Sequence, residues 1–434
     1  MFPGRQTATG QCTNYEIIID YSKQLIYDAA MIQEATTRTR IDLGRANRRA
    51  VLREIVFHGS LSRTEIASRT GLTGASVSRI TRDLLDAGLI SERRSKDAAT
   101  GPGRRFVDLS VNPLGGYVLG IGLNLFQQSV SLADLSNRVI ERVDLGLPSL
   151  SNPNTVIDRI VEVARSMLGR LGGNRARLLG GSIAATGAID PERGTVKDSP
   201  TLGWCDVELG GRISDALGIP MIVENLPNSL VLAETHFGVA RGFRHVLMVN
   251  CALGMGVSYF ANGSLLQGRN YATGIGVNIP ARADDLPGTC LDDVAGGLSV
   301  LRRMGISPSA TGRRLPGNVE AHELLKAVTA ADDGDPAAVA AISAAGRTLG
   351  TTLAQFAGLV APELIMLAGP MASAPAYVAG AKQGMDSLLA DHIEDIPFKL
   401  SATSPQASAR QLAISEFLVN RDLDFDALRL EEAS

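Results

Sequence analysis

The most constraining feature of the chain is a pair of closely spaced helix starts. Ser62-Arg-Thr-Glu65 is a capping box, in which the Ser and Glu side chains satisfy free backbone N–H groups at a helix start. Gly71 suits the end of that helix, and Thr73 predicts the start of another that runs toward Gly88. An apolar stripe over 51–56 predicts a helix before both. A three-helix unit with a tight turn is therefore expected.

The third helix of this unit is predicted to have two different faces. Val77, Ile80 and Leu84 recur at helical spacing, which predicts a buried side. A short helix, a tight turn and a helix with Arg and Ser donors in its first turns are typical of a helix-turn-helix, whose second helix enters the DNA major groove. The residues of this helix predicted to contact DNA are Ser76, Ser78, Arg79 and Arg82.

A predicted β-hairpin follows the three helices. The stretches LISERR and RFVDLSV have the composition of two strands, joined by KDAATGPGR. In a winged helix such a hairpin contacts DNA, so Arg104 and Arg105 are predicted to bind phosphates or reach the minor groove. The alternative is a three-helix protein-binding module with solvated arginines. The occurrence of caps, outward arginines and wing in this order favours DNA.

The charge distribution agrees with a polyanionic partner for this segment. Residues 41–110 carry 13 Lys and Arg against 8 Asp and Glu, whereas the whole chain of 434 residues has a net charge of −3. A basic segment on an acidic body suits DNA. Charged residues make up 20% and apolar residues 45% of the chain, which excludes a sequence dominated by disorder or membrane spans.

The cysteines and the first residues predict a cytoplasmic location. No basic start followed by an apolar run occurs, so no secretory signal is expected. The cysteines lie far apart without a CxxC pair, which suits a reducing compartment. They are Cys12, Cys205, Cys251 and Cys290.

From Tyr117 onward, apolar strands alternate with helical patterns, which predicts an α/β fold. YVLGIGLNLFQQSVSLADLSN and HVLMVNCALGMGVSYFANGS share one order of strand, turn and strand, and this weak repeat predicts two related lobes around a cleft. A buried strand meets a helix in IPMIVENLPNSLVLAE, residues 219–234. Such joints commonly bind ligands. Here Leu226 and Pro227 stand between Asn225 and Asn228, so the joint lacks an acid or base at its centre.

The order of motifs over roughly residues 45–420 resembles the ROK family of repressors, open reading frames and sugar kinases, specifically its winged-helix regulators. The stretches that carry the resemblance are NRRAVLREI, GRRFVDLSVNP, SPTLGW with IPMIVENLPNSLVLAETHFGVARG, VNCALGMGVSYFANGSLLQG and LGTTLAQFAGLVAPELIMLAGP. The resemblance implies an α/β chain with an extension over 1–40, a winged helix-turn-helix domain over 41–112, and an actin-like domain of two lobes over 113–434. A sugar cleft is expected between the lobes.

The chain departs from the family's kinase pattern at its catalytic positions. The first phosphate loop of the kinases has an Asp followed by Gly-Gly-Thr, whereas this chain has Gly122-Leu-Asn-Leu-Phe126. The second loop, usually Gly-Thr-Gly-Ile-Gly, is Ala252-Leu-Gly-Met-Gly256. The Asp that serves the kinases as general base is Leu226, which cannot accept a proton. We therefore expect no catalytic residue and no cofactor; an ATP-dependent sugar kinase is the alternative.

The family's zinc and sugar motifs are also incomplete in this chain. Only Cys290 remains of the zinc cysteines, and the motif's Glu and His are Gly274 and Val277, so no metal is expected. What remains near the cleft is predicted to bind a small polar effector. These residues are Gly187, Asn225, Asn228 and Asp292, the last matching an acidic family position. They also suit a structural role, because asparagines cap helices and close turns.

The sequence therefore predicts a cytoplasmic DNA-binding transcriptional regulator, a repressor, with a kinase-like domain for oligomerisation and for sensing a sugar or polyol. A homodimer or homotetramer is expected to bind a palindromic DNA operator, because helix-turn-helix proteins commonly bind as two-fold dimers. No membrane partner is expected. A regulator that responds to no small molecule is the remaining alternative.

Overall fold

The computed structural model describes residues 42–94, 107–268, 276–306, 317–389 and 396–423. The predicted extension over 1–40 lies outside these ranges, as do Arg104, Arg105 and Gly274. Within the described ranges, no helix is long and apolar enough to cross a membrane.

The first part of the chain is a winged helix, as predicted. Its elements are α1 (42–58), β1 (Leu61–Ser62), α2 (Arg63–Thr70), α3 (Gly74–Asp86), β2 (Ile90–Arg94) and β3 (Val107–Val111). The capping box is confirmed, since Glu65 N donates to Ser62 Oγ at 3.3 Å and Ser62 N donates to Glu65 Oε2 at 2.8 Å. Gly71 ends α2 with φ at 69°, and β3 pairs antiparallel with both β1 and β2.

The first lobe is a mixed five-stranded sheet with helices on it. Its elements are β4 (Tyr117–Leu123), β5 (Gln128–Asp134), β6 (Val139–Asp144), α4 (Pro153–Arg170), β7 (Leu178–Ala185), β8 (Ala188–Asp190), β9 (Thr195–Ser199), β10 (Trp204–Glu208), α5 (Leu209–Leu217) and β11 (Met221–Asn225). The strand order is β11-β7-β4-β5-β6, and β8 to β10 form a small separate sheet. Every residue of β4 is buried, so this strand lies at the centre of the lobe.

The second lobe repeats this plan. Its elements, with the helix that leads into it, are α6 (Leu226–His236), β12 (His245–Cys251), β13 (Met255–Ala261), β14 (Ser264–Leu265), α7 (Leu291–Ala295), α8 (Gly297–Arg303), α9 (Asn318–Asp332), α10 (Pro336–Val360), β15 (Leu364–Ala368), α11 (Pro375–Asp386) and β16 (Phe398–Leu400). The order β14-β13-β12-β15-β16 matches the first lobe strand for strand. In both lobes an antiparallel hairpin is followed by two parallel strands. The two-lobed α/β prediction is therefore confirmed.

The end of the chain returns to the winged helix. Helix α12 (Pro405–Ile414) packs against α6, and the Ser229 hydroxyl donates to Ser408 Oγ at 3.0 Å. The following π-helical turn (Ser415–Asn420) buries Phe417 and Leu418 in one apolar cluster with α1 and α3. The core of the winged helix is therefore completed by residues from the far end of the chain.

Candidate DNA-binding surface and ligand cleft

The outward face of α3 carries most of the residues predicted to contact DNA. Ser78, Arg79 and Arg82 are exposed there, while Val77 and Ile80 are buried on the opposite side. Because residues three and four apart share a helix face, these three side chains lie together on one surface. The sequence-derived division of this helix into two faces is thus the one observed.

Ser76 differs from its neighbours because its polar groups serve the helix start. Its backbone N–H donates to Thr73 Oγ1 at 3.2 Å, and its own Oγ accepts a hydrogen bond from the Thr73 hydroxyl at 3.0 Å. The side chain is only half-buried. The Arg104 and Arg105 predictions lie outside the described residues. Arg93, which no sequence pattern marks as a DNA contact, is an exposed cation on β2.

The arginines of this module differ in whether they already have a carboxylate partner. Arg63 pairs with Glu92 at 2.8 Å, and Arg69 lies 3.6 Å from Glu54. Among the described residues, Arg79 and Arg82 have no ion-pair partner. Their charges are therefore available to an external anion such as a DNA phosphate or to a base edge.

A cleft of about 490 Å³ lies between the two lobes. The turns of both hairpins and the carboxyl ends of β7, β11 and β15 form its walls, together with the start of α12. This is where the sequence analysis expected it, because strand ends and helix starts of an α/β fold meet at such positions. Of the four predicted effector residues, Gly187, Asn225 and Asp292 line this cleft.

The fourth predicted effector residue, Asn228, lies elsewhere. It lines a small adjoining pocket, and both ends of its amide are used within the protein. Its Nδ2 donates to Glu224 Oε1 at 2.9 Å, and its Oδ1 accepts from the Ser258 hydroxyl at 2.7 Å. Asn228 thus holds the strand-to-helix joint against β13. Asn225 lines this pocket as well, and an effector-binding role for Asn228 stays a prediction.

Glu224 is a buried carboxyl that sequence reasoning missed. It is 8% exposed, and burial raises its pKa, although hydrogen bonds from Asn228 and from the Asn225 backbone N–H oppose the shift. The Asn225 side chain donates to the Gly187 carbonyl. A single acid inside the apolar run of β11 was the available signal. Its hydrogen bonds hold Asn225 and Asn228 in place where β11 meets α6.

Among the described residues that line the cleft, Asp292 is the acidic one. Its Oδ1 accepts a hydrogen bond from Met255 N at 2.7 Å. Burial is the main cause that raises its pKa to about 7; the nearby Asp293 charge adds to the rise, and the Met255 N–H opposes it. A Cβ on Gly276 would lie 1.8 Å from Asp292 Oδ1, so the carboxyl fits only beside glycine. The site is built closely around this side chain.

Leu226 occupies the position where the family resemblance places a general base. It lines the cleft, is 3% exposed, and packs in an apolar cluster with Leu230, Val246 and Met248. Both the side chain at position 226 and its surroundings are therefore apolar.

The turn between β4 and β5 is closed by the Asn124 side chain, where the phosphate loop of the family's kinases has two glycines. Asn124 Oδ1 accepts from Phe126 N at 2.9 Å and from Gln127 N at 3.0 Å, which closes the turn. Leu125 and Phe126 then project onto the apolar core of the second lobe. A turn with these side chains offers a phosphate little of the close backbone approach that glycines permit.

The described residues contain no group of three or more His, Cys, Asp and Glu side chains that could hold a metal ion. The Cys290 thiol lies 3.2 Å from Asp293 Oδ2 and donates to it. Burial is the main cause that raises the pKa of Cys290 to about 11, and the charges of Asp293 and Asp292 add to the rise.

The sequence pattern of the ROK family matches residues 121–413, which span both lobes and the cleft between them. The chain belongs to the ROK family. A pattern of the MarR family matches residues 41–99, the region of α1 to β2. This ROK protein therefore joins a winged helix to the two-lobed domain.

Two curated proteins illustrate the relatives of this ROK chain. The DNA-binding transcriptional dual regulator NagC of Escherichia coli K12 is 27% identical over 337 residues, which are 76% of this chain and 81% of the regulator. The xylose repressor of Bacillus spizizenii is 26% identical over 224 residues, 52% of this chain and 57% of the repressor.

Solved structures show that regulators and kinases share this fold. A ROK family transcriptional regulator, a homologue of the E. coli MLC protein, has a TM-score of 0.67 at 24% identity and covers 89% of this chain and 98% of its own. A ROK glucokinase from Streptomyces griseus in complex with glucose and AMPPNP has a TM-score of 0.55 at 19% identity and covers 69% and 98%. Fold alone therefore does not decide between regulation and catalysis.

Proposed function

We propose that this ROK protein is a DNA-binding transcriptional repressor whose cleft binds a small sugar or polyol without phosphorylating it. The relatives named as a regulator and a repressor support the first part, because they align over 76% and 52% of this chain. The observation that carries the proposal is the outward face of α3, where Arg79 and Arg82 are exposed and have no carboxylate partner among the described residues.

The DNA-binding residues are proposed to act in different ways. Arg79, Arg82 and Ser78 read or position the major groove, because they share the exposed face of the second helix of the helix-turn-helix. Ser76 contributes through its cap with Thr73, which orients the first turn of that helix. A dimer or tetramer would present two such helices to a two-fold symmetric operator.

The test is a gel-shift series on an operator isolated by selecting genomic fragments with the purified protein. Arg79→Ala is expected to weaken specific binding by roughly 1–3 kcal/mol if Arg79 contacts a base, and Arg82→Ala to add to the loss. Arg212→Ala is the matched control, because Arg212 is an exposed arginine on α5 in the first lobe. An Arg79→Ala, Arg82→Ala double variant that binds the operator like the Arg212→Ala control would refute the assignment.

The absence of kinase activity is proposed from three positions around the cleft. Leu226 lies where the kinases of the family have a base, in an apolar cluster. At the two hairpin turns, Phe126 and Leu253 replace hydroxylated residues of the phosphate loops. Transferring a phosphoryl group depends on positioning and on neutralising charge, and these loops supply both in the kinases. The ATP-dependent sugar kinase is therefore the less supported alternative.

A coupled ADP-release assay with common hexoses checks this second part. Release by the purified chain is expected to stay at the rate seen without sugar, because Leu226 stands at the base position of the family's kinases and Phe126 and Leu253 stand in the two phosphate loops. A ROK glucokinase assayed in parallel is the positive control. Hexose-dependent ADP release by this chain would show that the cleft is catalytic.

A further inference from the structure

The side chain of Arg63 connects three elements of the winged helix. Arg63 is the first residue of α2, and its Nε donates to Thr81 Oγ1 on α3 at 3.2 Å. Its Nη2 donates to Glu92 Oε1 on β2 at 2.8 Å, and these two charged groups form an ion pair. One guanidinium thus ties α2 both to the helix proposed to enter the major groove and to the first strand of the wing.

On α3, this bridge reaches the backbone of the turn that faces outward. Thr81 is fully buried, and its hydroxyl donates to the Ser78 carbonyl at 3.3 Å while it accepts from Arg63. Ser78 belongs to the exposed face of α3 that is proposed to contact DNA. Because Thr81 has no exposed surface, it cannot touch DNA itself. Any effect of its hydroxyl on DNA binding must therefore act through the placement of α3.

The backbone next to Arg63 is fixed from two sides. Glu65 N donates to Ser62 Oγ at 3.3 Å in the capping box, and Ser62 lies opposite Asp108 where β1 pairs with β3. Strand β3 in turn pairs with β2. Arg63 therefore extends from a fixed point, and its two side-chain hydrogen bonds hold α3 and β2 relative to that point.

We propose that Arg63 is a positioning residue for operator recognition, which holds α3 and β2 at the angle at which both contact one operator. The exposed cations on these elements include Arg79 and Arg82 on α3 and Arg93 on β2. A base contact requires hydrogen-bond geometry, whereas the attraction of a cation to phosphate acts over about 10 Å at 0.1 M salt. Loss of the bridge should therefore weaken binding to the operator and spare binding to other DNA. This inference rests on the DNA binding proposed above.

The alternative role for Arg63 is a direct contact with a DNA phosphate. A direct contact and a positioning role predict different effects of removing Glu92, an exposed carboxylate that phosphate repels. If Arg63 attracts phosphate, Glu92→Ala frees its charge and tightens binding to operator and non-operator DNA alike. If Arg63 positions α3 and β2, Glu92→Ala lowers the ratio of operator affinity to non-operator affinity.

Competition gel shifts at one salt concentration measure this ratio, with an operator selected from genomic fragments by the parent protein. Thr81→Val keeps the buried shape but removes the hydroxyl, and Arg63→Met removes the whole bridge. Each is expected to lower the ratio about tenfold, as the loss of one or two buried or charged hydrogen bonds allows. Glu92→Ala is expected to lower it by about threefold or more. Thr81→Ser keeps the hydroxyl and should retain the parent ratio.

Arg69→Met is the matched control. Arg69 lies in the last turn of the same helix α2, and its ion pair is with Glu54 on α1 at 3.6 Å. The variant removes the same charge from α2 without touching the bridge between α3 and β2. It is expected to weaken operator and non-operator binding equally, so that the ratio stays that of the parent.

Thermal unfolding of the same proteins separates positioning from a defect of the fold. The side chains of Arg63 and Glu92 are 35% and 48% exposed, so their ion pair contributes little to stability. The Tm of Arg63→Met and of Glu92→Ala is therefore expected to lie within about 3 °C of the parent. A larger fall in Tm for Glu92→Ala would show that the bridge supports the fold instead of orienting α3 and β2.

Several outcomes would overturn the role of Arg63. These are Thr81→Val or Glu92→Ala with the parent's ratio, Glu92→Ala with tighter binding to both DNAs alike, or Arg69→Met with as large a fall in ratio as Arg63→Met. The parent protein keeps this failure apart from failure of the proposed function. A parent that prefers its selected fragment while the variants keep its ratio overturns only the positioning role. A parent that prefers no fragment over other DNA overturns the repressor and the positioning role together.

Discussion

At the residue scale, the charge of the cleft depends on Asp292. Its carboxyl is held against Met255 N and is enclosed where Gly254 and Gly276 leave room for it. Burial raises its pKa to about 7 from the ordinary value of 3.8. In this pH range the folded protein binds a proton there that the unfolded chain has lost, so the free energy of unfolding falls as the pH rises. Above the pKa of the folded state the carboxyl is ionised in both states, so the free energy of unfolding no longer changes with pH.

Asp292→Asn removes this titration and keeps an acceptor oxygen for Met255 N. Relative to this variant, the parent is expected to lose roughly 2–3 kcal/mol of unfolding free energy between pH 5 and pH 8. Urea unfolding at several pH values measures the difference, and Asp285→Asn serves as control, since Asp285 is an exposed carboxylate with a lowered pKa next to Arg303. Parallel pH profiles for the parent and Asp292→Asn would contradict the assigned burial of this carboxyl.

At the element scale, what could be predicted from sequence was local. The capping box at Ser62, the cap at Thr73 and the two similar hairpins depend on neighbouring residues, and each was found where expected. A helix cap needs only three or four residues, and a hairpin needs only its own two strands. The faces of α3 followed from the same short-range periodicity.

What could not be predicted depends on contacts between distant parts of the chain. Asn228 was predicted to bind the effector because it stands near Asn225, but no pattern in the sequence indicated that the Ser258 hydroxyl on β13 donates to its Oδ1. The return of Phe417 to the core of the winged helix joins residues more than 300 positions apart. Glycine at 276 is required by Asp292, sixteen positions along the chain. No periodicity or spacing in a single sequence carries such information.

At the scale of the whole molecule, two helices connect the cleft with the DNA-binding module. Helix α6 begins at the cleft with Leu226 and ends at His236, whose ring stacks on Phe57 of α1 with centroids 4.3 Å apart. Helix α12 also begins at the cleft, and the turn after it packs in the core of the winged helix. A ligand that shifts the start of either helix therefore acts on elements that directly support α1 and α3.

His236 gives this contact a pH dependence opposite in sign to that of Asp292. Burial is the main cause that lowers its pKa to about 4, and the charge of Arg53 adds to the shift. Below the ordinary value of 6.5 the unfolded chain takes up a proton that the folded state refuses, so the free energy of unfolding falls as the pH falls. The two residues thus offset one another between pH 5 and pH 8.

The last prediction follows from this opposition. His236→Phe keeps an aromatic ring on Phe57 but cannot titrate, so relative to this variant the parent is expected to lose about 2 kcal/mol of unfolding free energy between pH 7.5 and pH 5. The lost hydrogen bond to Ser415 Oγ lowers stability about equally at all pH values and leaves the slope of stability against pH unchanged.

The other variants follow from the same two titrations. Without the His236 titration to offset that of Asp292, His236→Phe is expected to become less stable as the pH rises, whereas Asp292→Asn is expected to become more stable. The double variant should regain a slope close to that of the parent, because both titrations are then absent. Urea unfolding of the four proteins at pH 5, 6.5 and 8 decides the matter: equal slopes for the parent and His236→Phe would show that the histidine is not held neutral against α1.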